Sequence, residues 1–426
     1  MSLGILKNKL FKNSAWLILD KFYVLFCGLI VSTIVARHLG PEELGVLNFG
    51  ITLSMICVAI SQWGASFIIF NTASRDEVLA VKYIKDTYFI RLALYLFTCL
   101  ILYSYLSITL EQSKALMITL ICLSNIFLGL DIYQFYFNGC LSSKTNAKAG
   151  MIAKSITMII RLSFVSLGLG LEWFIIPLIV EGAIIVWKKH RELPLFLVEH
   201  EIENKTKEYI RKGTPFLIST FFVVVYTKSN EILLQEFSTF KDIGLYSAGM
   251  LLANAWAFIP MAIGTSVLSE AIKNRNTEQF SFCYFIVFMV SVLPIVLMIL
   301  FSEEIVDIVF GEEYLGVTRI LPILSISSLF GVLVFLINRQ IGSYENGGKY
   351  ILIKNSITTV IAISLSYHFI SKYGLIGAAY SLMLTQLINM TLANYFFKNV
   401  SIFRIHTNIF NLPMNYRSFK HMFLNM

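Results

Sequence analysis

The sequence predicts an all-α polytopic membrane protein, with twelve transmembrane helices in two six-helix bundles. Apolar stretches of roughly 18–25 residues tile residues 14–397, each about long enough to cross a hydrocarbon core of about 30 Å. Only 14% of the 426 residues are charged, against about 25% in ordinary soluble domains, and mean hydropathy is +0.72. Short motifs recur about 200 residues apart, so the two halves echo each other. Helices follow because open strands leave backbone groups unsatisfied in lipid. Barrel strands would alternate polar and apolar residues, and these runs do not.

The first span, 14–36, follows Lys7, Lys9 and Lys12. It is too long for a signal-peptide core and no small-residue cleavage site ends it, so it reads as an uncleaved helix. It carries Asp20 and Lys21, which as neighbours point about 100° apart. The second span is 44–70. The third, 84–106, contains Arg91, and the fourth, 115–137, contains Asp131. The fifth, 150–170, carries Lys154 and Arg161. The sixth, 173–190, carries Glu181, with Trp173 and Trp187 at its ends as an interfacial aromatic belt.

Residues 1–190 thus form an N-terminal bundle, and the charged stretch 191–212 reads as a linker. The C-terminal bundle, 213–397, opens with span seven, 213–235, holding Lys228 and Glu231. Spans eight to ten are 246–269, with Trp256 deep inside, 280–300 and 317–338. Span eleven, 350–370, holds Lys354, and span twelve is 374–397, followed by a tail, 398–426.

Asn138 recurs as Asn338, and Lys154-Ser-Ile-Thr recurs as Lys354-Asn-Ser-Ile-Thr. Six helices per half, an even number, give both halves the same orientation, a parallel repeat about the membrane normal. Two such bundles flanking a central cavity suit alternating access. Alternate loops, from the N-terminus on, hold 23 Lys and Arg against 5 in the others, namely Arg37, Lys114, Lys241, Arg319 and Lys372. The positive-inside rule puts both termini and the linker in the cytoplasm. The formal charge of +8 is explained by those loops, so no nucleic-acid partner is expected.

Catalytic signatures are missing. Residues 342–349 resemble a phosphate loop one residue out of register, and Tyr350 stands where Ser or Thr should hold magnesium. The six cysteines form no CxxC pair and the six histidines show no metal spacing, so no metal and no cofactor are expected. Ionisable residues within spans remain. Charge at membrane depth costs at least about 2.5 kcal/mol and calls for a partner or a polar cavity. Arg91, Lys154 and Lys354 lie within about two turns of a cytoplasmic end, where long side chains snorkel. Arg161, Glu181 and Lys228 lie nearer the midplane. Arg161 and Lys228 are therefore the leading candidates for substrate contact, with Lys21, Arg91, Lys154 and Lys354 behind them. Asp20, Asp131, Glu181 and Glu231 are candidates for a coupling ion or a charge pair, the bland alternatives being Arg161 with Glu181 and Lys228 with Glu231.

Four segments carry a resemblance: Ala36-Arg-His-Leu-Gly-Pro-Glu-Glu-Leu-Gly45, Asp242-Ile-Gly-Leu-Tyr-Ser-Ala-Gly249, Ile308-Val-Phe-Gly-Glu-Glu-Tyr314 and Gly374-Leu-Ile-Gly-Ala-Ala-Tyr-Ser381. Together they make the chain similar to bacterial O-antigen (Wzx-type) polysaccharide flippases. These belong to the multidrug/oligosaccharidyl-lipid/polysaccharide exporter superfamily. The resemblance implies a MATE-like fold in the bacterial inner membrane. It also implies flipping of an undecaprenyl-pyrophosphate-linked repeat unit to the periplasmic face, driven by a proton or sodium gradient or by the membrane potential. Its partners would be that lipid-linked glycan, membrane lipid, a polysaccharide polymerase and a chain-length regulator. A drug exporter of the same fold is the transport alternative. A membrane glycosyltransferase or polymerase is the enzymatic one, and the short outer loops argue against it.

Overall fold

The computed structural model describes residues 3–198, 203–274, 276–397 and 401–420, and among residues 3–26 only the side chains of Trp16 and Tyr23. The described residues are helical and contain no strand. The chain divides into two compact units, residues 1–228 and 229–426.

In the first unit, α1 (Leu3–Gln62) covers spans one and two in one run, broken at Gly40 (φ 72°, ψ 169°) just before Pro41. The positive φ suits glycine, and proline cannot continue the preceding hydrogen-bond ladder. After α2 (Ala65–Ala73) comes α3 (Glu77–Asp86), where the sequence reading had a loop. Its signal was present: Asp76 caps it by accepting from the Leu79 amide at 2.9 Å, with Glu77 in its first turn. α4 (Tyr88–Thr109) is span three. Span four is interrupted, as α5 (Gln112–Ser124), α6 (Ile126–Leu130) and α7 (Tyr133–Gly139). Spans five and six are α8 (Ser143–Ser166) and α9 (Ile175–Glu192).

α10 (Thr206–Phe237) is span seven, and the division between the units falls inside it rather than at the charged linker. Its first turns are docked on the corner between α1 and α2. The Tyr209 hydroxyl donates to the Gln62 carbonyl at 2.6 Å, Trp63 Nε1 donates to the Ile210 carbonyl at 3.2 Å, and Phe67 stacks on Phe216 at 4.7 Å. Hydropathy marks where apolar residues begin, not which neighbours they pack on.

In the second unit, span eight is a pair, α11 (Phe240–Ala255) and α12 (Phe258–Asn274), bent by 46°. α13 (Thr277–Leu300) and α14 (Ser302–Phe310) precede a short 3-10 segment, Glu312–Arg319, and α15 (Leu321–Gly342). α16 (Gly347–Met390) holds spans eleven and twelve, broken at Gly374. A methyl group on Gly377 would stand 2.1 Å from the Phe369 carbonyl. Residues eight apart in a straight helix are about 12 Å apart, so the chain turns back on itself at this break. α17 (Leu392–Tyr395), α18 (Ser401–Thr407) and α19 (Leu412–Phe419) follow.

Eight helices among the described residues are long and apolar enough to cross a membrane, or nine with the bent pair counted. Taking the arms of the broken α1 and α16 separately, and adding α9, helix is present at each of the twelve expected spans. In the second unit the core gathers Leu268, Cys283, Val287, Leu336 and Ile337 from α12, α13 and α15.

His406 ties α18 to this body. Its Nδ1 lies 3.2 Å from the Tyr395 hydroxyl and its ring meets that of Tyr284 edge-on. Burial pushes its pKa down to about 4. A released α18 would have a histidine of ordinary pKa, about 6.5. Docking is therefore unaffected above about pH 6.5 and weakens as pH falls toward 4, by at most about 3 kcal/mol. The thermal midpoint in detergent is expected to fall more steeply across that window in the wild type than in His406→Gln.

Candidate functional site

Three of the expected residues converge in the first unit. Lys154 and Arg161 are seven residues apart on α8, nearly two full turns, and so share a face. That face meets α9. Lys154 Nζ is 2.8 Å from Glu181 Oε1, Arg161 Nη2 is 3.6 Å from Glu181 Oε2, and Thr157 Oγ1 is 3.5 Å from the same oxygen. Gly182 lets α9 come this close to its other neighbour, since a methyl group there would stand 2.7 Å from Phe127 Cβ. Tyr23, whose hydroxyl is 2.6 Å from Ser155 Oγ, ties α1 to α8.

The cluster holds two cations against one carboxylate, a net charge of +1. Its three charged side chains each keep about a fifth of their surface exposed (18–23%). Fully buried ion pairs are closed off, whereas this one has an open side and surplus positive charge. That is what an anionic group needs in order to displace Glu181 from one cation and bind.

The structure revises the depths. α8 begins at Ser143, seven residues before the expected start, because its opening turns are polar and contain Lys144 and Lys148. Lys154 is therefore at mid-helix rather than near an end. Arg161 is five residues, about 7.5 Å, from the C-terminal end.

Arg91 does not face a reachable surface. It is fully buried, and its guanidinium donates to the carbonyls of Leu130 at 2.9 Å and Ile84 at 3.0 Å and to Thr87 Oγ1 at 3.2 Å. It satisfies backbone oxygens left open where α3 ends and α6 breaks, the kind of repair that interrupted membrane helices require. Asp131, at that same break, is paired with Lys189 at 2.6 Å, both side chains nearly fully buried. Lys189, one of the 23 cations counted on the alternate loops, therefore lies inside α9 rather than on a loop. Asp131 Oδ1 is buried without a hydrogen-bond partner.

In the second unit, Lys354 is buried and donates to Asn338 Oδ1 and, at 3.3 Å, to Asn394 Oδ1. The echo of Lys154 therefore keeps its position and loses its carboxylate partner: residue 381, 200 beyond Glu181, is serine. Ser381 instead joins a network that sequence reasoning missed. Asn230 Oδ1 accepts from Ser366 at 2.7 Å and Ser381 at 3.0 Å, and its Nδ2 donates to Tyr246 at 2.9 Å. Lys228 and Glu231 are half-buried on α10, three residues apart. Trp256 is buried. The side chains of Asp20 and Lys21 lie outside the described residues.

Residues 10–269 match the family described as polysaccharide biosynthesis protein. The chain belongs to that family. It is 23% identical over 415 residues to the capsular polysaccharide biosynthesis protein CapF of Staphylococcus aureus, covering 91% of this chain and 99% of that one. Its fold is similar to that of the lipid II flippase MurJ in an inward closed conformation, with a TM-score of 0.68 at 14% identity, over 96% of this chain and 93% of that one. It is also similar to an inward-facing multidrug resistance MATE family transporter of the MOP superfamily, with a TM-score of 0.61 at 16% identity, over 90% and 96%. This polysaccharide biosynthesis family member therefore has a MATE-like polytopic membrane fold.

Proposed function

We propose that the protein is a flippase that moves an undecaprenyl-pyrophosphate-linked repeat unit of a surface polysaccharide, of the O-antigen or capsular kind, across the bacterial cytoplasmic membrane. The observation that carries this reading is the partly exposed Lys154–Glu181–Arg161 cluster, surplus positive charge on a membrane-spanning helix of a polysaccharide biosynthesis protein. A lipid-linked glycan presents a charged pyrophosphate and many hydroxyls, none of which crosses hydrocarbon unaided. Two cations on one helix face give that head a place to bind while the polyprenyl tail stays in lipid. An inside-negative potential adds an outward push of about 2.3 kcal/mol per negative charge per 100 mV. A coupling proton or sodium ion is a further part of the proposal, with Glu181, Asp131 and Glu231 as the candidates among the described residues.

The test is transport itself. Purified protein in liposomes is expected to expose a fluorescent undecaprenyl-pyrophosphate oligosaccharide to a membrane-impermeant quencher. The gene is expected to restore surface polysaccharide to a flippase-null strain. A well-folded protein that does neither, and instead exports cationic dyes, would establish the drug-exporter alternative.

A further inference from the structure

No aspartate or glutamate occurs after Glu345, so residues 346–426 contain no acid at all. The end of this stretch, α18 and α19, has two faces. On the inner face Ile402, Ile405, Met414 and Ser418 are buried. That face is seated on the N-terminal half of α13. Ser281 Oγ donates to the Ile405 carbonyl at 3.1 Å, and rings pair between Phe288 and Phe410 at 5.3 Å and between Phe282 and Phe419 at 6.3 Å.

The outer face mixes large apolar groups with cations: Phe403, Arg404, Leu412, Tyr416, Arg417 and Lys420 are all exposed, Tyr416 by 66%. This segment begins six residues after a membrane-spanning helix that ends at Tyr395, and Phe396 beside that end is 84% exposed. We propose that α18 and α19 form an interfacial anchor whose outer face binds anionic lipid headgroups and so fixes α13 to the membrane surface.

Several features select a lipid surface over other occupants. Aromatic and aliphatic side chains beside Arg and Lys, with no carboxylate among them, match the boundary where acyl chains give way to phosphates. A second copy docking through the same face would set three cations against three cations, which is repulsive. The segment begins six residues after the end of a membrane-spanning helix, so the bilayer surface is close along the chain. The Lys/Arg bias of the loops places this surface in the cytoplasmic leaflet. The lipid contact itself needs neither that assignment nor the flippase reading.

The test places an environment-sensitive fluorescent amino acid at position 416 of the full chain. The protein is reconstituted in vesicles of phosphatidylethanolamine with phosphatidylglycerol, or of phosphatidylcholine alone. In the anionic vesicles, brominated lipid is expected to quench the probe and aqueous iodide is not. Neutralising the cations in R404Q/R417Q/K420Q is expected to weaken the seated state on the order of a hundredfold, since each cation near an anionic surface contributes about fivefold. Iodide should then reach the probe, and raising salt should act the same way. Gel filtration of the variant shows whether the body remains folded. Equal iodide access in both vesicle types, or protection unchanged in the triple variant, overturns the proposal. Protection that disappears on diluting protein in lipid would overturn it in favour of a second copy. Failed transport with a protected probe bears on the flippase reading alone.

Discussion

Arg161→Ala is expected to lose transport while the protein still folds. The two consequences separate because Glu181 has two cationic partners. Lys154, at 2.8 Å, keeps the carboxylate paired after Arg161, at 3.6 Å, is removed. A purely structural Arg161 would therefore be replaceable at small cost. A substrate-binding Arg161 would not, because removing one side of a charge-assisted contact costs about 2–5 kcal/mol, a factor of at least about thirty. Accumulation in the membrane should be near that of the wild type, and surface polysaccharide in a flippase-null strain should be nearly absent. Arg161→Lys should retain more function than Arg161→Gln, since charge is what the anion requires. Lys154→Ala removes the nearer partner, so it should lower folded yield as well as transport. Full complementation by a well-expressed Arg161→Ala protein would exclude the cluster as the substrate site.

Lys189→Met is expected to have the largest effect on stability. It leaves the Asp131 carboxylate buried and unpaired in a site where one of its oxygens already lacks a hydrogen-bond partner. Breaking a buried pair from one side costs about 3–5 kcal/mol, so detergent-solubilised protein should lose much of its folded fraction. The double variant Asp131→Asn with Lys189→Met should recover most of that loss, because no buried charge is then left uncompensated. The double variant also reads the role of Asp131. Recovery of both stability and transport makes the pair structural, while recovery of stability alone assigns Asp131 to ion coupling. A Lys189→Met protein as stable as the wild type would refute the buried pair.

Much of this was legible along the chain. Hydrophobic length located the twelve spans, and the pairing of Arg161 with Glu181 stood only as the bland alternative to a cavity role. Other features were hidden. The start of α8 was obscured by Lys144 and Lys148, and that shifted the apparent depths of Lys154 and Arg161. Arg91 and Lys354 read as cations snorkelling to the headgroups, with substrate contact as the lesser alternative, but each is occupied by oxygens from distant segments, Leu130 in one case and Asn338 with Asn394 in the other. No local pattern announces such partners.

The sequence alone determined the class of molecule, because crossing a bilayer is a property of each segment separately: about twenty apolar residues suffice, whatever they pack against. It also singled out most of the charges costly enough to need an explanation, Lys189 excepted. Only the tertiary structure decided how each cost is met. Lys154 and Arg161 share one carboxylate and stay open on one side, Asp131 is closed off by Lys189, and Arg91 repairs a broken helix. The physical reason is that a buried charge is satisfied by whatever lies within about 3 Å of it in space. Those neighbours are set by how the helices pack, not by their order along the chain.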